Sequence, residues 1–167
     1  MKTLKAYIVI FIATIAVAKA QFTKAELQVS GLTCSLCANT TEKSLKALPF
    51  ISEIKPDLVR NVYYITFKDN TPINFELISN KIKKSGFSVS YLKTTYNFDN
   101  TQLADNSFTY GADTYKLLNS DKQLKGPVSL TIVDQGFAPK SVTKKHLGKE
   151  PVPTTTATGR IYHVTAI

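Results

Sequence analysis

Between residues 24 and 92 the spacing of apolar positions switches repeatedly between two periods. Over 25–30, Leu27 and Val29 alternate with Glu26, Gln28 and Ser30, the period-two pattern of a half-buried strand, and Gly31 breaks it. Ala38, Thr41, Leu45 and Leu48 then recur at steps of three and four, with Glu42, Lys43 and Lys46 on the other side. This is one face of a helix, and Pro49 ends it at or near Leu48. Two strands follow over 50–57 and 60–68, the second alternating Tyr63, Ile65 and Phe67 with Val62, Tyr64 and Thr66. Asp69-Asn70-Thr71-Pro72 reads as a turn into a second helix, with Thr71 as N-cap and Pro72 in the first helical position. Phe75, Ile78 and Ile82 supply its buried stripe, and Gly86 is the expected left-handed stop before a strand over 87–92.

From residue 93 onward the pattern changes. Asn97, Asn100, Asp105, Asn106, Gly111 and Asp113 mark a turn-rich connection, after which 114–118, 128–133 and 160–167 are strand-like. Residues 141–147 predict a turn of helix, and Pro151-Val152-Pro153 with the run 154–158 predicts an exposed loop. The expected class is α+β. It comprises a βαββαβ unit of the ferredoxin-like order over 21–94, then a separate small β-rich domain over 95–167 whose role carries no motif.

The first twenty residues read differently. Lys2 and Lys5 precede an apolar run over 6–17, and Ala18-Lys19-Ala20 is a small-x-small cleavage site. The apolar run is short for a bilayer core of about 30 Å, so this segment predicts a signal peptide cleaved after Ala20 and a periplasmic or secreted protein. No other segment is apolar enough to cross a membrane. The leader carries Lys2, Lys5 and Lys19 and no acid, so without it the excess charge falls from +9 to +6. That remainder is spread over both halves, a pattern that does not call for nucleic acid. There is no Ser/His/Asp nucleophile set, no carboxylate pair in a motif context and no Gly-rich phosphate loop, so the chain is not expected to be an enzyme.

Two cysteines are too few for a disulfide scaffold, but Cys34 and Cys37 lie three apart where a strand gives way to the first turn of a helix. Free backbone N–H groups and the helix dipole favour negative charge there, so both thiols should ionise readily. Two soft anionic donors suit a low-coordinate thiophilic cation. A closed zinc site needs two further ligands, and none lies nearby in sequence. The only Met is the initiator, which removes thioether help. His163 alternates within a strand and is read as a hydrogen-bonded strand histidine, and His146, after Lys144-Lys145, as solvated. Lys81, Lys83 and Lys84 form an outer helical face. Asn39-Thr40-Thr41 is a formal glycosylation sequon placed inside the first helix, and is discounted for that reason. The same cysteine pair also admits a disulfide or a thiol–disulfide redox role. A thioredoxin-like reading, however, needs a longer βαβ pattern and another strand order.

Gly31-Leu32-Thr33-Cys34-Ser35-Leu36-Cys37 resembles the Gly-Met-Thr-Cys-x-x-Cys motif of the heavy-metal-associated domain family of copper chaperones, copper-ATPase modules and periplasmic mercury-binding proteins. The similarity continues through Glu42-Lys43-Ser44-Leu45, Leu48-Pro49, Ile65-Thr66-Phe67 with Asp69, and Ile82-Lys83-Lys84-Ser85-Gly86-Phe87, and spans about 24–92. The resemblance implies the ferredoxin-like order, Cys34 and Cys37 as the metal thiolates, and Leu32 as a core residue beneath the loop. It implies Cu(I) as first cargo, with Hg(II) or Zn(II) after it. The implied partner is a metal donor or acceptor protein, such as a metal-transporting ATPase, served by ligand exchange. Phe87 stands where some eukaryotic chaperones carry Lys, which implies that no cation compensates the thiolate charge from that position. Phe50 replaces the family's Gly after Leu-Pro, a departure in the turn and not in the site.

Overall fold

The computed structural model describes residues 21–119, 124–148 and 159–167; the predicted leader and the predicted loop at 151–158 lie outside them. Eleven elements follow in chain order: β1 (Phe22–Ser30), α1 (Ser35–Lys46), β2 (Ile51–Asp57), β3 (Val62–Phe67), α2 (Phe75–Lys84), β4 (Ser88–Asn97), β5 (Ser107–Tyr110), β6 (Asp113–Leu117), β7 (Pro127–Ile132), α3 (Lys140–Leu147) and β8 (Ile161–Ala166). The first six reproduce the predicted βαββαβ order. Their strands pair antiparallel as β2-β3-β1-β4, the ferredoxin-like arrangement.

Both helices of this unit form for local reasons. In α1 the stripe Ala38, Thr41 and Leu45 is buried, while Lys43 and Lys46 face the negative end of the dipole. α2 buries Phe75, Ile78, Ser79 and Ile82, and Gly86 at φ +84° stops it. Its start differs from the sequence expectation. Asn74, not Thr71, is the N-cap, its side chain accepting from Leu77 N–H at 3.2 Å. Ile73 is drawn into the core before the helix begins, and the Thr71 hydroxyl donates instead to the Asp69 carbonyl.

The sheet does not end with the ferredoxin-like unit. β4 is ten residues long, and the boundary expected after Thr94 falls inside it: Thr94 faces Ala25 of β1 on one side and Leu130 of β7 on the other. The eight strands run β2-β3-β1-β4-β7-β8-β6-β5, antiparallel except for β6 with β8. β5 lies where the sequence predicts a turn-rich connection. It is only four residues long, and Gly111 at φ +63° closes its hairpin with β6, so the strand signal is short and surrounded by turn residues.

One sheet face is almost wholly apolar, and its aromatic side chains join the two halves. Phe22 of β1 packs against Phe75 of α2 (ring centroids 5.1 Å apart), Tyr96 (4.7 Å), Tyr110 (5.1 Å) and Tyr115 (5.0 Å). Tyr115 in turn stacks on Phe108 and Tyr162. α2 is tied to the second half by Ser79, whose hydroxyl donates to the Gly136 carbonyl at 2.8 Å. A Glu76–Arg160 ion pair adds a second tie, and the Arg160 guanidinium lies over the Phe137 and Tyr162 rings. No helix among the described residues is long and apolar enough to cross a membrane.

Because Phe22 is fully buried against rings from both halves, Phe22→Ala is expected to cost about 3–5 kcal/mol of stability in urea unfolding. Ending the chain after Asn97 strips Phe22, Phe75 and Tyr96 of ring neighbours and bares the outer edge of β4. The fragment is expected to lose the cooperative transition of the full chain, and a truncated protein unfolding as sharply as the full one would contradict this.

Candidate metal site

The candidate site hangs from the end of β1. Gly31 turns the chain in a left-handed conformation (φ +92°) that L side chains rarely adopt, beside the Phe87 ring. Leu32 is buried beneath the loop, as the resemblance implied. The next residues are exposed: Cys34 is the N-cap of α1, with extended backbone (φ −131°, ψ 143°), and its Sγ accepts from Cys37 N–H at 3.2 Å. The Ala38 N–H donates to the Cys34 carbonyl at 3.1 Å, closing the first helical turn. Cys37 is half-buried in that turn. The local fold thus makes a thiol serve as a helix cap, a role usually taken by Ser, Thr, Asp or Asn.

Both cysteines are free thiols, and they share one hydrogen bond unequally. The Cys37 thiol and then the Cys37 N–H, both donating to Cys34 Sγ, hold the Cys34 thiol below the ordinary cysteine range. The same thiol–thiol bond, followed by burial and the charge on Cys34, pushes Cys37 up. The first proton therefore leaves Cys34, and Cys37 holds its own to higher pH. No acidic residue stands in the first turn of α1, so the dipole is free to act on the thiolates.

Of the other residues singled out in sequence, His163 is bonded through Nδ1 to Asp134 Oδ1 at 2.9 Å, and its N–H donates to Asp134 Oδ2. It is the hydrogen-bonded strand histidine that the pattern predicted. His146 is exposed on α3. Among the described residues no group of three or more His, Cys, Asp or Glu side chains gathers, so neither histidine joins the two thiols. Phe87 lies half-buried on a groove of about 400 Å³ that it lines with Leu36, Cys37, Thr40, Thr41, Lys84 and Ser85. A cation does therefore border the thiol site, from Lys84 and not from position 87; the sequence placed Lys84 on an outer helical face without connecting it to Cys37.

Tyr63 was also missed as a site residue. Its ring is buried in β3, and its hydroxyl donates to the carbonyl of Ala38, next to Cys37, at 3.0 Å. Burial first, and the nearby Glu42 carboxylate second, push its ionisation up, so it stays a donor. The alternation in β3 groups it on one face with Ile65 and Phe67 but cannot show what its hydroxyl meets.

Two thiols at an exposed helix N-terminus, on a ferredoxin-like βαββαβ scaffold, define a class of small modules built to present a dithiol at one end of a sheet. Residues 26–88 match the heavy-metal-associated domain family, and this segment of the chain is a heavy-metal-associated domain. A 74-residue stretch is 36% identical to the probable copper-transporting ATPase HMA5 of Arabidopsis thaliana, covering 44% of this chain and 7% of that relative; the chain thus spans well under a tenth of its curated relative. Among solved structures, the yeast copper transporter domain Ccc2a, solved in apo and Cu(I)-loaded states, is 30% identical over 40% of this chain and 90% of its own, with a TM-score of 0.36. A CopZ metallochaperone is 18% identical over 40% of this chain and 98% of its own, with a TM-score of 0.37.

Two outcomes follow. Iodoacetamide is expected to modify Cys34 before Cys37, and as pH is raised the Cys34 rate should begin to climb before the Cys37 rate does, as mass mapping of partly alkylated protein would show; equal labelling would contradict the shared hydrogen bond. Tyr63→Phe removes the hydroxyl that holds the first turn of α1 to β3 and is expected to cost about 1 kcal/mol in urea unfolding.

Proposed function

We propose that this is an exported, non-enzymatic protein that binds a soft metal ion through Cys34 and Cys37 and passes it on. The observation that carries the reading is the pair itself: two free thiols at one helix end, one exposed and one half-buried, with no third ligand gathered around them among the described residues. Two thiolates with no carboxylate or thioether complete the needs of linear Cu(I) and Hg(II) but leave Zn(II) two ligands short. Cu(I) is therefore the first cargo, Hg(II) the second and Zn(II) the third. The exposed position of Cys34 suits ligand exchange. An incoming partner thiolate adds to the metal, Cys34 leaves it, and the half-buried Cys37 holds it until a second partner thiolate arrives. Donor or acceptor proteins, including a metal-transporting ATPase, are the fitting partners. Export rests on the leader-like first twenty residues.

The test is a titration of the reduced protein with Cu(I) against a competing chelator, alongside a Cys34→Ser/Cys37→Ser variant. One ion per chain is expected, with competition lost in the variant. Absence of Cu(I) binding, together with a mildly oxidising reduction potential and insulin-reducing activity, would transfer the pair to thiol–disulfide exchange.

A further inference from the structure

The end of the molecule that carries the thiols also carries three of the seven large apolar side chains that the fold leaves exposed among the described residues. The β2–β3 turn reaches the C-terminal end of β1: the Val29 N–H donates to the Asn61 carbonyl at 3.0 Å, and the Gln28 side chain to the Arg60 carbonyl at 3.1 Å. Gly31 and the cysteine loop start from that same end. Leu58 and Val59 stand at the tip of this turn, with Val59 95% exposed, and Leu36, between the cysteines, is 74% exposed. The turn itself is well built. Asp57 Oδ1 accepts from Val59 N–H and Arg60 N–H at 3.1 Å each, and Asn61 takes the left-handed conformation at φ +53°. Its apolar tip is therefore held out by a formed hairpin.

The charges at this end are mostly positive. Arg60 adjoins the tip with an exposed side chain, reaching Asp57 only loosely at 3.9 Å. Lys84 borders the groove beside Cys37, and Lys83 and Lys140 line a hollow of about 380 Å³ next to Ser30 and Ser88. The nearby acid, Asp57, is spent on its own turn, and the first turn of α1 has none. Isolated exposed aliphatics are ordinary on protein surfaces. Three at one end, two of them at the tip of a formed turn and all bordered by cations, form the pattern of a shallow interfacial anchor. A protein partner would need pockets to receive projecting tips; a bilayer yields to them.

We propose that the thiol-bearing end docks on an anionic lipid bilayer, with Leu36, Leu58 and Val59 entering the headgroup region and Arg60, Lys83, Lys84 and Lys140 facing anionic headgroups. If Cys34 and Cys37 carry a metal as proposed above, this orientation brings the cargo to the membrane plane. Docking itself does not depend on that reading.

The experiment is vesicle co-sedimentation of metal-free protein comprising residues 21–167, so that the apolar leader takes no part. Vesicles are phosphatidylcholine alone, or phosphatidylcholine with about one third phosphatidylserine, at low and high salt. Binding to the anionic vesicles is expected to exceed that to the neutral ones about tenfold or more, and to fall with salt. Leu58→Ser with Val59→Ser should lose most of it while keeping Cu(I) affinity. Arg60→Gln with Lys84→Gln should abolish the preference for anionic lipid. Binding to neither vesicle, or undiminished binding of the Leu58/Val59 variant, would overturn the proposal. Capture by soluble polyglutamate without vesicle binding would also overturn it and give the surface to an acidic protein. Cu(I) affinity is measured separately, so failure of docking and failure of the metal reading remain distinct.

Discussion

The backbone pairing of β4 on both of its edges constrains everything else. A ferredoxin-like unit normally leaves its fourth strand at the edge of the sheet, with a row of unpaired N–H and C=O groups. Here β7 takes that row from Leu92 to Asn97, and β8, β6 and β5 continue outward. Once β7 is in place the apolar face of the added strands must be covered, and the existing helix α2 does this. Phe75 packs on Tyr115 and Tyr162, and Phe22 on Tyr110 and Tyr115. A single helix thus serves two sets of strands. The polar ties Ser79–Gly136 and Glu76–Arg160 then hold the 133–139 segment and the start of β8 against its flank.

This division of labour leaves the cysteine loop undisturbed. The loop depends on the C-terminal end of β1, the first turn of α1 and the turn after α2, and none of these lies on the outer edge of β4. Its supports come from within the ferredoxin-like unit: Leu32 below, Phe87 against Gly31, and the Tyr63 hydroxyl on the Ala38 carbonyl. Rigid supports around a loop with free sulfurs reconcile two opposed demands. The sulfurs must be near enough to share one ion, and exposed enough to give it up.

How much of this was legible in the sequence follows from the range of the interactions involved. The period-two and helical stripes over 24–92 depend on near neighbours, so they disclosed the βαββαβ order and the helix-end position of both cysteines. The start of α2 was misplaced because Thr71-Pro72 is a good local cap, yet the burial of Ile73 outweighed it. The boundary after Thr94 was drawn where the residue pattern changes. That change marks the passage from the ferredoxin-like unit to strands added at its edge, while the sheet runs on through it. The packing of Phe22 on Tyr115, or the reach of Tyr63 to Ala38, joins residues far apart along the chain, and no periodicity encodes such contacts.

The placement of the added strands also explains how the charge is distributed. Lys83 ends the buried flank of α2, and Lys140 begins the helix that follows the 133–139 segment; the two meet on one hollow only because Ser79 anchors that segment to α2. The described residues of the second half therefore add a cation to the thiol-bearing end without adding a ligand there, since His163 is held by Asp134 and His146 stands in solvent. A domain joined by a flexible linker would leave that cation free to wander. Shared with α2 through one sheet and one core, it keeps a fixed position relative to Cys37, and the surface around the thiols becomes a property of the whole fold.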